Sequence, residues 1–300
     1  MLERAVRAHA RRQVEGIGLA VVAAVFFGTV AIFAKLAYAT GADPVPLLAF
    51  RFSIAGLFLV LFQAGRGQRL GLRRADAVRL LALGALGYAG EAALFFIALH
   101  QAPAGMVSLV FHSYPVWTAL LGFATRLEPL RVRLLIALAL ALGGVALIFS
   151  VRSAPLPGLL VALAASVAVS FYYLGAQLAV RNVGSAQASI YTALGAAVAL
   201  WAFSLASGQA LPVAALSWGT ALGAVTAIAF LAMYGSIRRV GSARSAIAQT
   251  LEPVTTVALA AMFLGENITW KIALGAVLIV ASLPALVSPS EGPPAPDTLG

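Results

Sequence analysis

Apolar residues run along this chain in blocks of twenty or more, separated by short stretches that hold Arg, Gly or Pro. Ten blocks stand out, over 16–39, 44–64, 77–99, 103–124, 131–150, 157–180, 186–207, 215–237, 241–264 and 269–288. A helix needs about twenty such residues to cross ~30 Å of hydrocarbon. In lipid, every backbone donor must find its acceptor within the segment, so the blocks predict helices. Barrel strands would show alternating polarity over ~10 residues at a time. The sequence has no such stretches.

Composition agrees with the pattern. Hydrophobic residues make up 62% of the chain and charged residues 10%, against about 25% charged in soluble domains. The run from Gly16 to Ala39 follows Arg4, Arg7, Arg11 and Arg12, as in a signal peptide. It is too long for a signal segment and is read as a retained first helix. There is no cysteine, which removes disulfides, thiol nucleophiles and thiolate metal sites. His9, His100 and His112 lack ligand spacing, so neither a metal nor another cofactor is expected. No HExxH, Gly-x-Ser-x-Gly or Walker phosphate loop occurs, so the chain is not expected to be an enzyme or to hydrolyse ATP.

The net charge of +10 raises the question of nucleic acid. Its distribution answers otherwise. With the N-terminus in the cytoplasm, sixteen bases fall in inside segments and two, Arg152 and Lys271, outside. Lys35 and Arg51 lie within spans. Such asymmetry sets orientation in membranes. It predicts cytoplasmic N- and C-termini and no nucleic-acid partner.

The two halves resemble each other. Shifted by 138 residues, Pro115-Val116-x-Thr118-x-x-Leu121 overlies Pro253-Val254-x-Thr256-x-x-Leu259, and Glu128 overlies Glu266. Span one overlies span six at a shift of 142. Five spans is an odd number, so the second half must enter the membrane upside down. The fold class predicted is an all-α integral membrane protein with ten transmembrane helices as two inverted five-helix repeats. Residues 1–15 form a cytoplasmic N-terminal segment, 16–152 the first repeat and 153–288 the second. Residues 289–300, with Pro293, Pro294 and Pro296, form a disordered cytoplasmic tail. Inverted repeats are common in secondary transporters, which hold substrate near the midplane between halves.

Several motifs then point to a family. Phe50-Arg51-Phe52 opens span two, Phe95-Phe96-x-Ala98-Leu99 closes span three, and Ala102 to Gly105 follows. Pro115 lies mid-span, and Gly265-Glu266 precedes Trp270. In this order the residues resemble the EamA-type drug/metabolite transporters. The first half has Leu127-Glu128 in place of Gly-Glu. The resemblance implies a ten-helix, two-repeat exporter of small metabolites in a bacterial inner (plasma) membrane. Within the family the chain looks like the aromatic amino acid exporters of the YddG type.

Charges inside a span cost about 2.5–3.5 kcal/mol each on insertion scales and mark functional sites. Lys35, Arg51 and Glu91 are read as one cluster toward the outer end, with Lys35 alternatively snorkelling and Arg51 alternatively paired with Glu91. Glu252 sits midway along span nine, without an adjacent base in the sequence. Desolvation penalises its charge, making it the candidate for proton coupling or ligand contact. Pro115 and Pro253 occupy equivalent places, as static kinks or as hinges. Through the repeat, Gln249 and Glu252 correspond to Phe111 and Tyr114, and the four are expected to face one cavity. His112 and Trp117 flank them; Tyr88, Tyr173, Gln177 and Tyr234 add wall. Core packing accounts for some of these aromatic residues as readily. The leading expectation is alternating-access export of aromatic or other amphipathic amino acids or similar small metabolites. A passive facilitator or channel of the same fold is the alternative. The partners expected are a small-molecule substrate and the lipid bilayer, and a monomer is compatible with both.

Overall fold

The structure is a computed structural model that describes residues 2–102, 104–149, 155–264 and 267–287. The described residues are helical, with no strand among them. Eight helical stretches are long and apolar enough to cross a membrane, and two shorter apolar helices accompany them. The predicted tail beyond Pro289, the junction at Arg152 and the Gly265-Glu266 pair lie outside the described residues.

Helix α1 (Leu2–Tyr38) begins well before the predicted start at residue 16. No Gly or Pro interrupts residues 2–15, and Arg11 pairs with Glu15 one turn on at 2.9 Å. Helix α2 (Pro44–Gly65) follows. The next rod has three parts: α3 (Arg74–Ala82), a π-helical segment (Leu83–Tyr88) and α4 (Ala89–Gln101). Then come α5 (Ala104–Phe111), α6 (Tyr114–Ala124) and α7 (Val132–Ile148). Helices α8 (Leu156–Asn182), α9 (Ser185–Ser207) and α10 (Leu216–Val240) are long and unbroken. Helices α11 (Ser242–Gln249), α12 (Leu251–Leu264) and α13 (Trp270–Ser282) complete the bundle.

The two interruptions inside apolar blocks fall just ahead of the two matching prolines. Helix α5 gives way to α6 at His112 and Ser113, and α11 to α12 at Thr250. Proline lacks the N–H that would continue the ladder. Local side chains take over the turns. Ser113 Oγ donates to the Val110 carbonyl at 2.7 Å, and Thr250 Oγ1 to the Ile247 carbonyl at 2.7 Å.

Helix contacts come in matched sets. Helix α1 packs along α10, and α4 along α8. Helix α2 crosses α10, while α3 and the π segment cross α9. Helix α1 meets α11 and α12, as α8 meets α5 and α6; α2 packs on α9, and α7 on α13. Exchanging the first five rods for the last five maps these contacts onto one another, while α10 also packs on α8 and α9, contacts without an equal counterpart among the first five rods.

Close approaches rest on glycine. Gly84 lies against the Thr192 carbonyl, and Gly195 against the Leu81 carbonyl, so α9 meets the π segment and the end of α3 backbone to backbone. Between α7 and α13, a Cβ on Gly275 would stand 2.6 Å from the Gly144 carbonyl oxygen. Small residues at such crossings are how membrane helices gain contact without a hydrophobic drive. Large apolar side chains such as Leu61, Phe171, Val198 and Phe203 point outward. An apolar exterior of this kind suits hydrocarbon rather than water.

Candidate functional site

The largest buried cluster gathers aromatic side chains from α2, α6, α8 and α10. They form a continuous seam. Phe27 meets Phe230 at 6.2 Å between centroids, Phe230 meets Tyr88 at 5.1 Å, and Tyr88 meets Phe52 and Tyr172 at 5.2 Å each. Tyr172 leads to Tyr173 at 6.0 Å, Tyr173 to Tyr114 at 5.5 Å, and Tyr114 to Phe111 at 5.8 Å. Phe95 closes the seam against Phe111 at 4.9 Å. Edge-on and tilted contacts dominate, as the ring quadrupole favours.

Arg51, Glu91 and Glu252 stand beside this seam. Arg51 is 6% exposed; its Nε donates to Thr226 Oγ1 at 2.6 Å, and its guanidinium carbon lies 5.0 Å from the Phe52 ring centre. Thr226 in turn donates to the Leu222 carbonyl, which fixes its hydroxyl as the acceptor for Arg51. Glu91 is buried and Glu252 half-buried. The Arg51 charge acts on both carboxyls, the two carboxyls act on each other, and Tyr88 lies within the field of all three. The Arg51 charge thus reaches Glu252, although the two form no ion pair among the described residues. Position along a span gave its depth but not its neighbours across the bundle. Arg51 makes no direct ion pair with Glu91 among the described residues. The Lys35 side chain lies outside the described residues, although its backbone is part of α1.

Helix packing explains how α12 brings Glu252 inward. A Cβ on Gly28 would lie 3.0 Å from the Glu252 carbonyl oxygen, so α1 and α12 touch there. Thr256 Oγ1 donates to the Gly28 carbonyl at 3.1 Å and secures the contact. Across the seam, Tyr114 donates its hydroxyl to the Ala246 carbonyl at 3.3 Å, and Ser170 donates to the Tyr114 carbonyl at 3.0 Å. The first turn of α6 is thereby tied to α8 and α11.

The predicted residues divide between two settings. Tyr88, Phe111, Tyr114, Tyr173, Arg51, Glu91 and Glu252 come together at the seam. Gln249 is buried and donates its amide to the Ser245 carbonyl and hydroxyl, within its own helix. Gln177 accepts the Ser242 N–H at 2.7 Å and holds the start of α11. The Tyr234 hydroxyl sits in the core, receiving the Tyr172 hydroxyl at 3.1 Å and bonding Thr192 at 2.7 Å. Trp117 donates its indole N–H to Ser113 Oγ at 3.3 Å. His112 occupies the α5–α6 break, its Nδ1 bonded to the Ser108 carbonyl at 2.8 Å and its ring stacked on Phe149. The carbonyl only accepts, so Nδ1 carries the proton and buried Nε2 is left as an acceptor with no partner. Pro115 and Pro253 adjoin the two helix breaks.

Phe27, Thr226 and Phe230 were not singled out from the sequence, and Phe52 only as part of the motif that opens span two. A signal existed for two of them. Thr226, Phe230 and Tyr234 recur every fourth residue on α10, one face of a helix. Among the described residues, no group of His, Asp and Glu is assembled to hold a metal ion.

Comparison with known proteins fits this architecture. The model of the EamA-like transporter family matches twice in succession, over residues 14–150 and 156–287. An uncharacterized transporter of Bacillus subtilis (strain 168), YcbK, is 26% identical over 279 residues, covering 86% of this chain and 88% of that protein. A solved crystal structure superposes with a TM-score of 0.78 at 23% identity, over 90% of this chain and 97% of that one, a likeness of fold. The chain belongs to the EamA-like transporter family and is a multi-pass membrane transporter.

Proposed function

We propose that the chain is a secondary exporter of amphipathic amino acids, aromatic ones foremost, and that the Arg51–Glu91–Glu252 cluster with its aromatic seam is the substrate site. The observation that carries this reading is the placement of one guanidinium in the field of two carboxyls beside a wall of rings. An amino acid is a zwitterion with a side chain. Arg51 suits its carboxylate, Glu91 and Glu252 suit its ammonium, and Tyr88, Tyr173, Tyr114 and Phe111 suit an apolar or aromatic side chain. Dedicated charges of both signs inside a bundle are costly to keep unless they bind something.

The proposed framework is ten spans in two inverted five-helix repeats, spanning residues 16–152 and 153–288, with both termini in the cytoplasm of a bacterial inner membrane. Support comes from the paired helix contacts, the two successive family matches and the sixteen-to-two distribution of bases. Alternating access would rock one half on the other about the breaks at Pro115 and Pro253, where a helix interrupted mid-span bends most easily.

Proteoliposome flux tests the proposal. Wild type should carry phenylalanine, tyrosine or another amphipathic amino acid saturably, driven by a pH gradient. Arg51→Gln should lose at least about tenfold in kcat/KM, a loss of ~1.4 kcal/mol of recognition. Glu252→Gln should retain exchange and lose its response to the gradient. No saturable flux across a broad amino acid panel would overturn the substrate assignment. Flux indifferent to the gradient in both wild type and Glu252→Gln would favour a facilitator.

A further inference from the structure

A groove of about 450 Å³ opens where α2 ends, α9 begins and α10 nears its last turn, at one end of the bundle. Arg66, Arg69 and Arg238 line it, and no carboxylate does. No carboxylate lies within ion-pair distance of these three arginines among the described residues. Setting membrane orientation calls for bases on this side. It does not call for a groove between three rods, nor for two further features of that groove.

The first is the start of α9. This helix of 23 residues is preceded by Gly184, which supplies no side-chain cap. Ser185 and its neighbours thus present free N–H groups and the positive end of a long helix to the groove. The Gln187 amide does not fill the position. It donates to the Arg69 and Gly71 carbonyls, at 2.9 and 3.3 Å, and pins the α2–α3 loop over the helix start. The second feature is Gln63. It is 4% exposed, it lines the same groove, and its Oε1 has no hydrogen-bond partner. Buried polar groups are nearly always satisfied, so an orphan acceptor beside a set of arginines points to a ligand that brings a donor.

The apolar side of the groove says where that ligand comes from. Phe62 is 47% exposed, and Leu61 and Phe58 on the same helix also face outward. Arg66 lies over the Phe62 ring at 5.4 Å. Within about one turn, the helix surface passes from hydrocarbon-facing rings to guanidinium groups, which is the depth of a lipid headgroup. A ligand with a phosphate for the arginines, a hydroxyl for Gln63 and acyl chains along Phe62 satisfies every group present. We propose that this groove binds the headgroup of an anionic, hydroxyl-bearing phospholipid of the phosphatidylglycerol type. The proposal needs only that the bundle lies in a bilayer, and it is independent of what the protein carries.

Thermal unfolding of the full-length protein in dodecyl maltoside provides the test. Dioleoyl phosphatidylglycerol, dioleoyl phosphatidylcholine, glycerol phosphate and inorganic phosphate are each titrated in. Ligand binding to the native state raises Tm. A saturable rise with phosphatidylglycerol is expected, with none from the other three at equal phosphate concentration. Arg66→Gln/Arg69→Gln should raise the half-saturating lipid concentration about tenfold or more, since each base near an anionic surface contributes ~1 kcal/mol. Gln63→Leu should weaken binding less. Arg126→Gln/Arg133→Gln, which removes equal charge from the α6–α7 loop and the first turn of α7, should leave the titration unchanged. If the groove double variant does not fold, Arg69→Gln alone must show the weaker response in the same assay. An equal response in groove and control variants overturns the proposal. So does a match between phosphatidylcholine and phosphatidylglycerol. An equal effect of inorganic phosphate or glycerol phosphate assigns the groove to a soluble anion instead and overturns the lipid reading.

Discussion

Glu128 lies in the loop between α6 and α7, yet its carboxylate serves a different helix. Its Oε1 accepts the Ser242 hydroxyl at 3.0 Å and the Ala243 N–H at 3.1 Å. Gly241 makes room for it: φ there is +87°, and a Cβ would stand 2.5 Å from Oε1. With Gln177 taking the Ser242 N–H, α11 has its first donors capped by side chains of other elements. Glu128→Ala removes one of these caps and leaves an N–H and an O–H unserved. At ~1–3 kcal/mol per orphaned group, and toward the low end for a half-buried loop, the expected loss is ~2–4 kcal/mol. In a protein of this size that lowers Tm by roughly 4–8 °C. Glu128→Gln keeps an acceptor and is expected to cost under about 1 kcal/mol. The pH dependence follows from burial, which pushes the Glu128 carboxyl above its usual value; hydrogen bonds from Ala243 and Ser242 and the Arg244 charge offset only part of this. A carboxyl that titrates higher when folded binds more protons in the folded state. Its contribution is then full below the unfolded value, about 4.3, and is lost as pH rises through the folded value. Wild type should therefore lose ground to Glu128→Gln as pH rises across that window. Scanning fluorimetry of wild type and both variants from pH 4 upward reads this directly. The reasoning is refuted if Glu128→Ala melts with wild type, or if wild type gains on Glu128→Gln as pH rises.

Gly84→Ala sets a Cβ against the Thr192 carbonyl. It should cost about 1–3 kcal/mol or more and lower the folded yield on size exclusion, because α9 cannot yield locally. Gly90→Ala meets no atom within 4 Å and should be neutral or mildly stabilising. Tyr234→Phe deprives the Tyr172 hydroxyl of its acceptor and Thr192 of its partner. It should cost about 1–3 kcal/mol in thermal unfolding without abolishing flux.

The apolar blocks could be read from the sequence because lipid imposes a length on each. The helix breaks at His112–Ser113 and Thr250 were foreshadowed by Pro115 and Pro253, since a missing N–H is a local fact. Lateral neighbours were harder. Glu252 gave no sign of Arg51, because the charge effect crosses from α12 to α2, 201 residues earlier. Gln177 and Gln249 looked like cavity groups by helical face. Their amides are used instead at the start of α11 and on Ser245, which only the hydrogen-bond geometry reveals. Glu128 was noted for its place in the repeat, while its service to Ser242 and Ala243 depends on a loop conformation that no periodicity encodes. Helix α1 reaches back to Leu2 because helix-forming residues continue past the apolar block, and hydropathy marks only the latter.

The π segment between α3 and α4 holds one more residue than an α-helical ladder would over the same stretch, with the Ala89 N–H reaching the Gly84 carbonyl. One surplus residue turns everything after it by about 100° relative to everything before. A single rod thereby keeps two phases. Up to the start of the segment it presents Leu81 and Gly84 to α9, and from its end Tyr88 and Glu91 look into the bundle while α4 lies along α8. An uninterrupted helix would have to choose between those duties. Here the surface that binds a neighbour and the surface that meets the interior can vary independently along one span.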